Sequence, residues 1–167
     1  IELPHRETVS LLDEVHNLFD FYEALAEENQ IKLVATGDAH IVCDRLMVRR
    51  AISNLLSNAI RYSSKQESVK VLISQFPGEV RLSVQNAGSA IDANDLPRLF
   101  DRFYRVEKSR SHDDSEGTGL GLSITKAIMN AHGGSASVKS AGRVTTFCLN
   151  FPHRAQEFES SKSNTIR

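Results

Sequence analysis

Apolar residues recur at three- and four-residue steps from about Glu7 to Glu28, at Val9, Leu12, Val15, Phe19, Tyr22 and Ala26, so this stretch is expected to form an amphipathic helix. Ile31 to Val34 and His40 to Cys43 are short apolar runs separated by Thr36-Gly37-Asp38, which suggests a hairpin or two edge strands. Asp44 is placed to cap a second helix. There Val48, Ala51, Ile52, Leu55 and Ala59 share one face, and Arg50, Asn54, Ser57, Asn58 and Arg61 share the opposite one.

Val69 to Phe76 and Glu79 to Asn86 alternate like strands and are joined through Pro77-Gly78. Val80, Leu82 and Val84 point one way and Asn86 continues their phase, which aims a polar side chain where the core face ends. Leu96 to Phe103 is a short apolar and basic stretch, followed from Val106 to Glu116 by a segment with almost nothing to bury, expected to be a mobile loop. Gly117-Thr118-Gly119-Leu120-Gly121 opens a third helix with Leu120, Ile124, Ala127, Ile128 and Ala131 on one face, ended by Gly133-Gly134. Ser135 to Ser140 and Thr145 to Phe151 are the final strands.

This order implies an α+β fold, a two-layer sandwich of a mixed sheet covered on one face by about three helices. Residues 1–152 form the expected domain, and residues 153–167, almost wholly polar, a disordered tail. The 167 residues are 40% hydrophobic and 25% charged, enough to bury a core without metals or disulfides. A net charge of -1 leaves no global field to draw the chain onto nucleic acid or an anionic membrane, so anion binding must be local. Cys43 and Cys148 are far apart in apolar contexts, as expected of small core residues in a reducing compartment.

Local anion chemistry is offered in two places. The glycine-rich Gly117 to Gly121 leads into a helix, so backbone N–H groups and the positive end of the helix dipole can meet phosphates, although a flexible turn would have the same composition. Asn54 and Asn58, spaced i, i+4 with Arg61 a turn further on, offer neutral oxygens and a cation suited to Mg²⁺-phosphate, or else a solvated polar face.

Asn54-Leu55-Leu56-Ser57-Asn58-Ala59-Ile60-Arg61-Tyr62-Ser63, Asn86-Ala87-Gly88-Ser89-Ala90-Ile91, Leu99-Phe100-Asp101-Arg102-Phe103-Tyr104-Arg105 and Gly117 to Leu122 occur in that order. They resemble the asparagine, first glycine, phenylalanine and second glycine boxes of the catalytic and ATP-binding domain of two-component sensor histidine kinases. That domain has the Bergerat-type fold shared with gyrase, the heat-shock chaperone ATPase and mismatch-repair ATPases. Ala131-His132-Gly133-Gly134 and Thr145-Thr146-Phe147 complete the pattern, and the resemblance covers about residues 6 to 152. It implies Mg²⁺ on Asn58, Asn54 beside it at the phosphates, Arg61 supplying charge, and Tyr62 stacked on adenine. It also implies Asn86 at the adenine amino group, Tyr104 and Arg105 at the base of a lid from Val106 to Glu116, and Arg105 within reach of the γ-phosphate. Gly88, Ile91, Gly117, Thr118, Gly119, Leu120, Gly121 and Thr145 complete the implied nucleotide site. Asp95 to Val106 is similar to the heavy-metal sensor kinases, especially those for copper or silver.

The first glycine box departs from the family pattern, with Asn86 for aspartate and Ala90 for the second glycine. Asn86 accepts through its carbonyl but adds an NH₂ and removes a charge, so GTP is expected to be excluded less strongly. No histidine has the His-Glu or His-Asp context of the phosphoacceptor, which implies a separate dimerisation and histidine-phosphoacceptor domain as partner, then a cognate response regulator. The implied whole protein is a homodimeric sensor in a bacterial inner membrane, with this part cytoplasmic and touching neither membrane nor nucleic acid. Two alternatives are a weakened nucleotide-binding interaction module and a hydrolysing ATPase. Asn54 weighs against hydrolysis because an amide cannot take the water proton.

Overall fold

The computed structural model describes residues 5–105 and 120–153. Strands β1 (Glu7–Ser10), β2 (Lys32–Thr36), β3 (His40–Cys43), β4 (Ser68–Phe76), β5 (Glu79–Ala87), β6 (Ser135–Ala141) and β7 (Val144–Pro152) alternate with helices α1 (Leu11–Glu28), α2 (Arg45–Tyr62) and α3 (Gly121–Ala131). A mixed five-stranded sheet runs β2-β4-β5-β7-β6, parallel only between β2 and β4. The expected α+β sandwich is present: α1 lies over β2, α2 over β4 and β5, and α3 over β6 and β7.

The beginning of the chain differs from the helical expectation. Glu7 to Ser10 is extended and pairs antiparallel with β3, with Thr8 opposite Val42. Val9, counted into the helix by its spacing, is buried by strand alternation instead. The helix starts where Ser10 Oγ accepts the Asp13 N–H at 3.2 Å. The two donors before it are also met, Leu11 N–H by Ala39 O and Leu12 N–H by Asp38 Oδ1.

Of the two readings of Thr36-Gly37-Asp38, two edge strands holds and the hairpin does not. The segment carries the chain from β2, an edge of the main sheet, to β3 in a separate two-stranded sheet with β1. Gly37, at φ 84°, passes so close to β4 that a Cβ there would lie 2.1 Å from Ile73 O.

The apolar face of α2 is as expected, widened by Leu56 and Ile60, and it forms the centre of one continuous core. On α3 the buried residues are Thr125, Ile128 and Met129, and Ala127 is exposed, contrary to the expected face. The shift arises because α3 packs against α2 as well as the sheet, which turns Thr125 inward. In β5, Val80, Leu82, Val84 and Asn86 are buried in the expected phase. The loop from Val106 to Glu116, Gly117 to Gly119 and residues 154–167 lie outside the described residues.

Cys43 is fully buried as expected, and its thiol is pushed up to about 12, first by burial and then by the neighbouring negative charges of Asp44 and Glu14. It is therefore an inert core thiol at neutral pH. Cys148 is only partly buried, on the sheet face away from the helices, opposite Ser83 and Ser137.

Glu14 is the unexpected core member. Its side chain is 1% exposed and accepts from Arg45 Nη1 at 2.9 Å and Arg49 Nε at 2.7 Å, tying α1 to the first turns of α2. Arg45 also bonds Glu7 of β1, the leading reason its guanidinium is raised above the ordinary value. Both arginines keep more than a third of their side-chain surface in water, so the desolvated charge is Glu14. Replacing Arg45 and Arg49 together by alanine is expected to cost about 3–5 kcal/mol in urea unfolding, by stranding that carboxylate. Glu14→Met should cost much less, since both arginines can turn to solvent; equal losses would contradict this account.

Candidate functional site

The polar face of α2 meets the ends of β5 and β7 and the first turn of α3. Four contacts hold this junction. Ser64 N–H donates to Ala87 O at 2.9 Å, Ser63 pairs with Gly88 across an isolated bridge, and Gly88 N–H donates to Arg143 O at 2.8 Å. Arg143 Nη2 then reaches Ser64 Oγ at 3.2 Å. A Cβ at position 88 would lie 2.2 Å from Tyr62 O and 3.6 Å from Asn86 Nδ2, so glycine is what permits the end of α2 to sit against β5.

At that junction Asn86 is 6% exposed and Thr145, its cross-strand partner on β7, is 4% exposed. No described residue forms a hydrogen bond with the Asn86 amide, although the chain leaves no fully enclosed polar side-chain atom unpaired among the described residues. Its amide therefore keeps a small opening and unmet hydrogen-bonding capacity. Asn58, half-buried on α2, likewise has no side-chain partner among the described residues. Two amides with no side-chain partner among the described residues, near one junction, suit a polar ligand.

Asn54 is different. Its Nδ2 donates to Gly121 O at 3.0 Å and approaches Thr125 Oγ1 at 3.4 Å, so the amide is fastened to the start of α3. Leu120 is the N-cap of α3 and has no side-chain capping bond, which leaves the first N–H groups of the helix directed toward the junction. Arg61 and Tyr62 end α2 and are exposed.

The segment after β5 is anchored by apolar contacts. Ile91 and Leu96 pack against the core, Leu99 is buried, and Phe100 meets Phe147 edge-on at 6.0 Å. Tyr104 OH donates to Asp95, and the Arg98 guanidinium lies 4.5 Å from its ring centre. Arg105, half-buried, ends this stretch. Thus Asn54, Asn58, Arg61, Tyr62, Asn86, Gly88, Leu120, Gly121 and Thr145 belong to one junction, with Ile91, Tyr104 and Arg105 on the segment leaving it. Gly117, Thr118 and Gly119 lie outside the described residues.

Residue patterns did not single out Thr125 or Arg143. Thr125, a polar residue at a core position of an apolar helix, was the available signal; Arg143, in a turn, had none. His132 falls at the end of α3 as expected of a helix-terminal histidine. Its Nε2 accepts the Asp44 N–H at 3.1 Å, so the ring proton is on Nδ1 and is donated to Ile128 O at 2.8 Å.

The family described as histidine kinase-, DNA gyrase B-, and HSP90-like ATPase matches residues 43–155, and the chain belongs to it. Sensor histidine kinase CusS of Escherichia coli O157:H7 is 45% identical over 153 residues, which are 91% of this chain and 32% of the relative. The chain thus spans about a third of that relative's length. Full-length ShkA in complex with AMPPNP has the same fold, with TM-score 0.78 at 23% identity over 93% of this chain and 33% of that one. So does histidine kinase ThkA in complex with response regulator TrrA, with TM-score 0.74 at 21% identity over 89% of this chain and 42% of that one.

Gly88→Ala is expected to force α2 and β5 apart and cost about 1–3 kcal/mol, a fall of several degrees in melting temperature. An unchanged melting temperature would show that the close approach is not a constraint.

Proposed function

We propose that residues 1–152 bind Mg-ATP at this junction and donate the γ-phosphoryl group to a histidine on a separate helical dimerisation domain. A cognate response regulator would then receive it. The single observation that carries this reading is the pair of open amides, Asn58 and Asn86, placed where α2, β5 and the N-terminus of α3 meet. Asn58, with Arg61 a turn away, would hold Mg²⁺, and Asn86 would meet the edge of the base. Tyr62 would stack on its face, and Arg105 would reach the γ-phosphate from the segment beyond Tyr104. Bound magnesium would offset phosphate charge. In the transfer the acceptor imidazole nitrogen attacks the γ-phosphorus, the bond from phosphorus to the β–γ bridging oxygen breaks, and ADP leaves with that electron pair.

Asn54 supports transfer over hydrolysis, because an amide committed to α3 has no basic site for a water proton. The likeness to a sensor histidine kinase supports a place in a sensor protein, for which the resemblance of the boxes implies a homodimer in an inner membrane, a metal response and a cytoplasmic position for this part. No helix among the described residues is long and apolar enough to cross a membrane.

Calorimetric titration with a non-hydrolysable ATP analogue is expected to show magnesium-dependent binding that Asn58→Ala weakens at least about tenfold, the scale of a lost charge-assisted contact. Binding indifferent to both magnesium and the substitution would overturn the assignment. For base choice, Asn86→Asp is expected to widen the preference for ATP over GTP by about tenfold, since a carboxylate cannot donate to the guanine 6-oxygen. An equal or greater preference in the wild type would reject that role for Asn86.

A further inference from the structure

Thr125 is fully buried, yet it carries a hydroxyl on the face of α3 that α2 covers. Its Oγ1 donates to Gly121 O, one turn back, at 3.0 Å. Having given up its proton, it presents only lone pairs to the Asn54 amide, 3.4 Å away. Gly121 O, 3.0 Å from the same amide nitrogen, is also purely an acceptor. The Asn54 NH₂ therefore faces two acceptors, and turning the amide over would set its oxygen against both with no proton between them. The two acceptors, 3.0 Å apart, share one N–H, and Oδ1 is held on the opposite side of the amide with no hydrogen-bond partner among the described residues.

We infer that Thr125 is a positioning residue for the nucleotide site: through the amide of Asn54 it fixes which atom that side chain can offer. The inference rests on the Mg-nucleotide reading above. With its nitrogen held toward α3, Asn54 turns Oδ1 to the side away from that helix, and an amide oxygen facing a phosphate oxygen would repel it. What Oδ1 can accept is a cation or a proton of a cation-bound water, so Asn54 meets the phosphates only by way of magnesium. Thr125 belongs to the supporting layer that sets how a ligand atom is oriented without touching the ion itself.

The test is titration of the whole chain with AMPPNP, with and without Mg²⁺, for wild type, Thr125→Val, Thr125→Ala and Thr125→Ser, with thermal melts to verify folding. Valine keeps the shape and loses the hydroxyl, alanine removes it without adding a branch, and serine restores it. Both hydroxyl-deleting variants are expected to lose about fivefold in magnesium-dependent affinity, the scale of one hydrogen bond, and nothing in magnesium-free affinity. Serine should retain the wild-type value, and Thr125→Val should add nothing in an Asn54→Ala background. Wild-type affinity in the folded deletion variants, equal losses with and without magnesium, or a serine variant as weak as valine would each overturn the positioning role while leaving the site assignment standing. Wild-type binding that ignores magnesium would overturn the site reading, and this inference with it.

Discussion

The carbonyl of Tyr62 occupies the space that any side chain at position 88 would need, and the placement of α2 depends on that vacancy. The helix enters the core through seven buried residues, from Val48 to Ile60, which set its height over the sheet. A stop lies at its C-terminal end, where Ser63 and Ser64 bond to the last residues of β5 and Gly88 bonds to Arg143. Because Asn58 is one turn before this stop and Asn86 two residues before Gly88, their separation is fixed by backbone contacts and not by flexible side chains. A site built on rigid elements holds its geometry more closely than one built on loops.

The two ends of α2 divide stability from recognition. At the N-terminal end Asp44 caps the helix, its N–H is received by His132 from α3, and Arg45 and Arg49 enclose Glu14 from α1. All of these polar groups are satisfied within the protein. At the C-terminal end the side-chain amides of Asn58 and Asn86 have no hydrogen-bond partner among the described residues. Hydrogen-bonding capacity of this kind is what a polar ligand can use.

Much of this was legible in the residues. The period of α2 exposed both its buried face and the Asn54-Asn58-Arg61 stripe, and the two-residue phase of β5 carried Asn86 into the buried layer. Both readings depend only on local periodicity, which the fold preserves. What was misread or left open shares a different cause. Val9 satisfies helical and strand spacing equally, and only pairing with β3, more than thirty residues away, selects the strand. Likewise Thr36 to Asp38 left a hairpin and two edge strands open, and only the parallel pairing of β2 with β4 and the passage of Gly37 past Ile73 select the edge strands. Glu14 is a polar residue on an otherwise apolar face whose partners, Arg45 and Arg49, lie on another element, and Thr125 shows only as a polar residue in a core position until its contact with Asn54 is known.

Amide and carboxylate differ in what burial costs them. At 6% exposure the aspartate of the family pattern would lose most of its hydration at position 86, where Asn86 carries no charge to desolvate. An amide has a smaller desolvation cost and does not titrate. The same holds on α2, where Asn54 and Asn58 place two neutral oxygen donors one turn apart, and two carboxylates at that spacing would repel each other before any cation arrived. Charge enters this junction through Arg61 and Arg105, at its margins, where water screens it. The three amides thus bring oxygen and nitrogen to the junction without an unpaired charge, and the cationic side chains of Arg61 and Arg105 are kept to its edges.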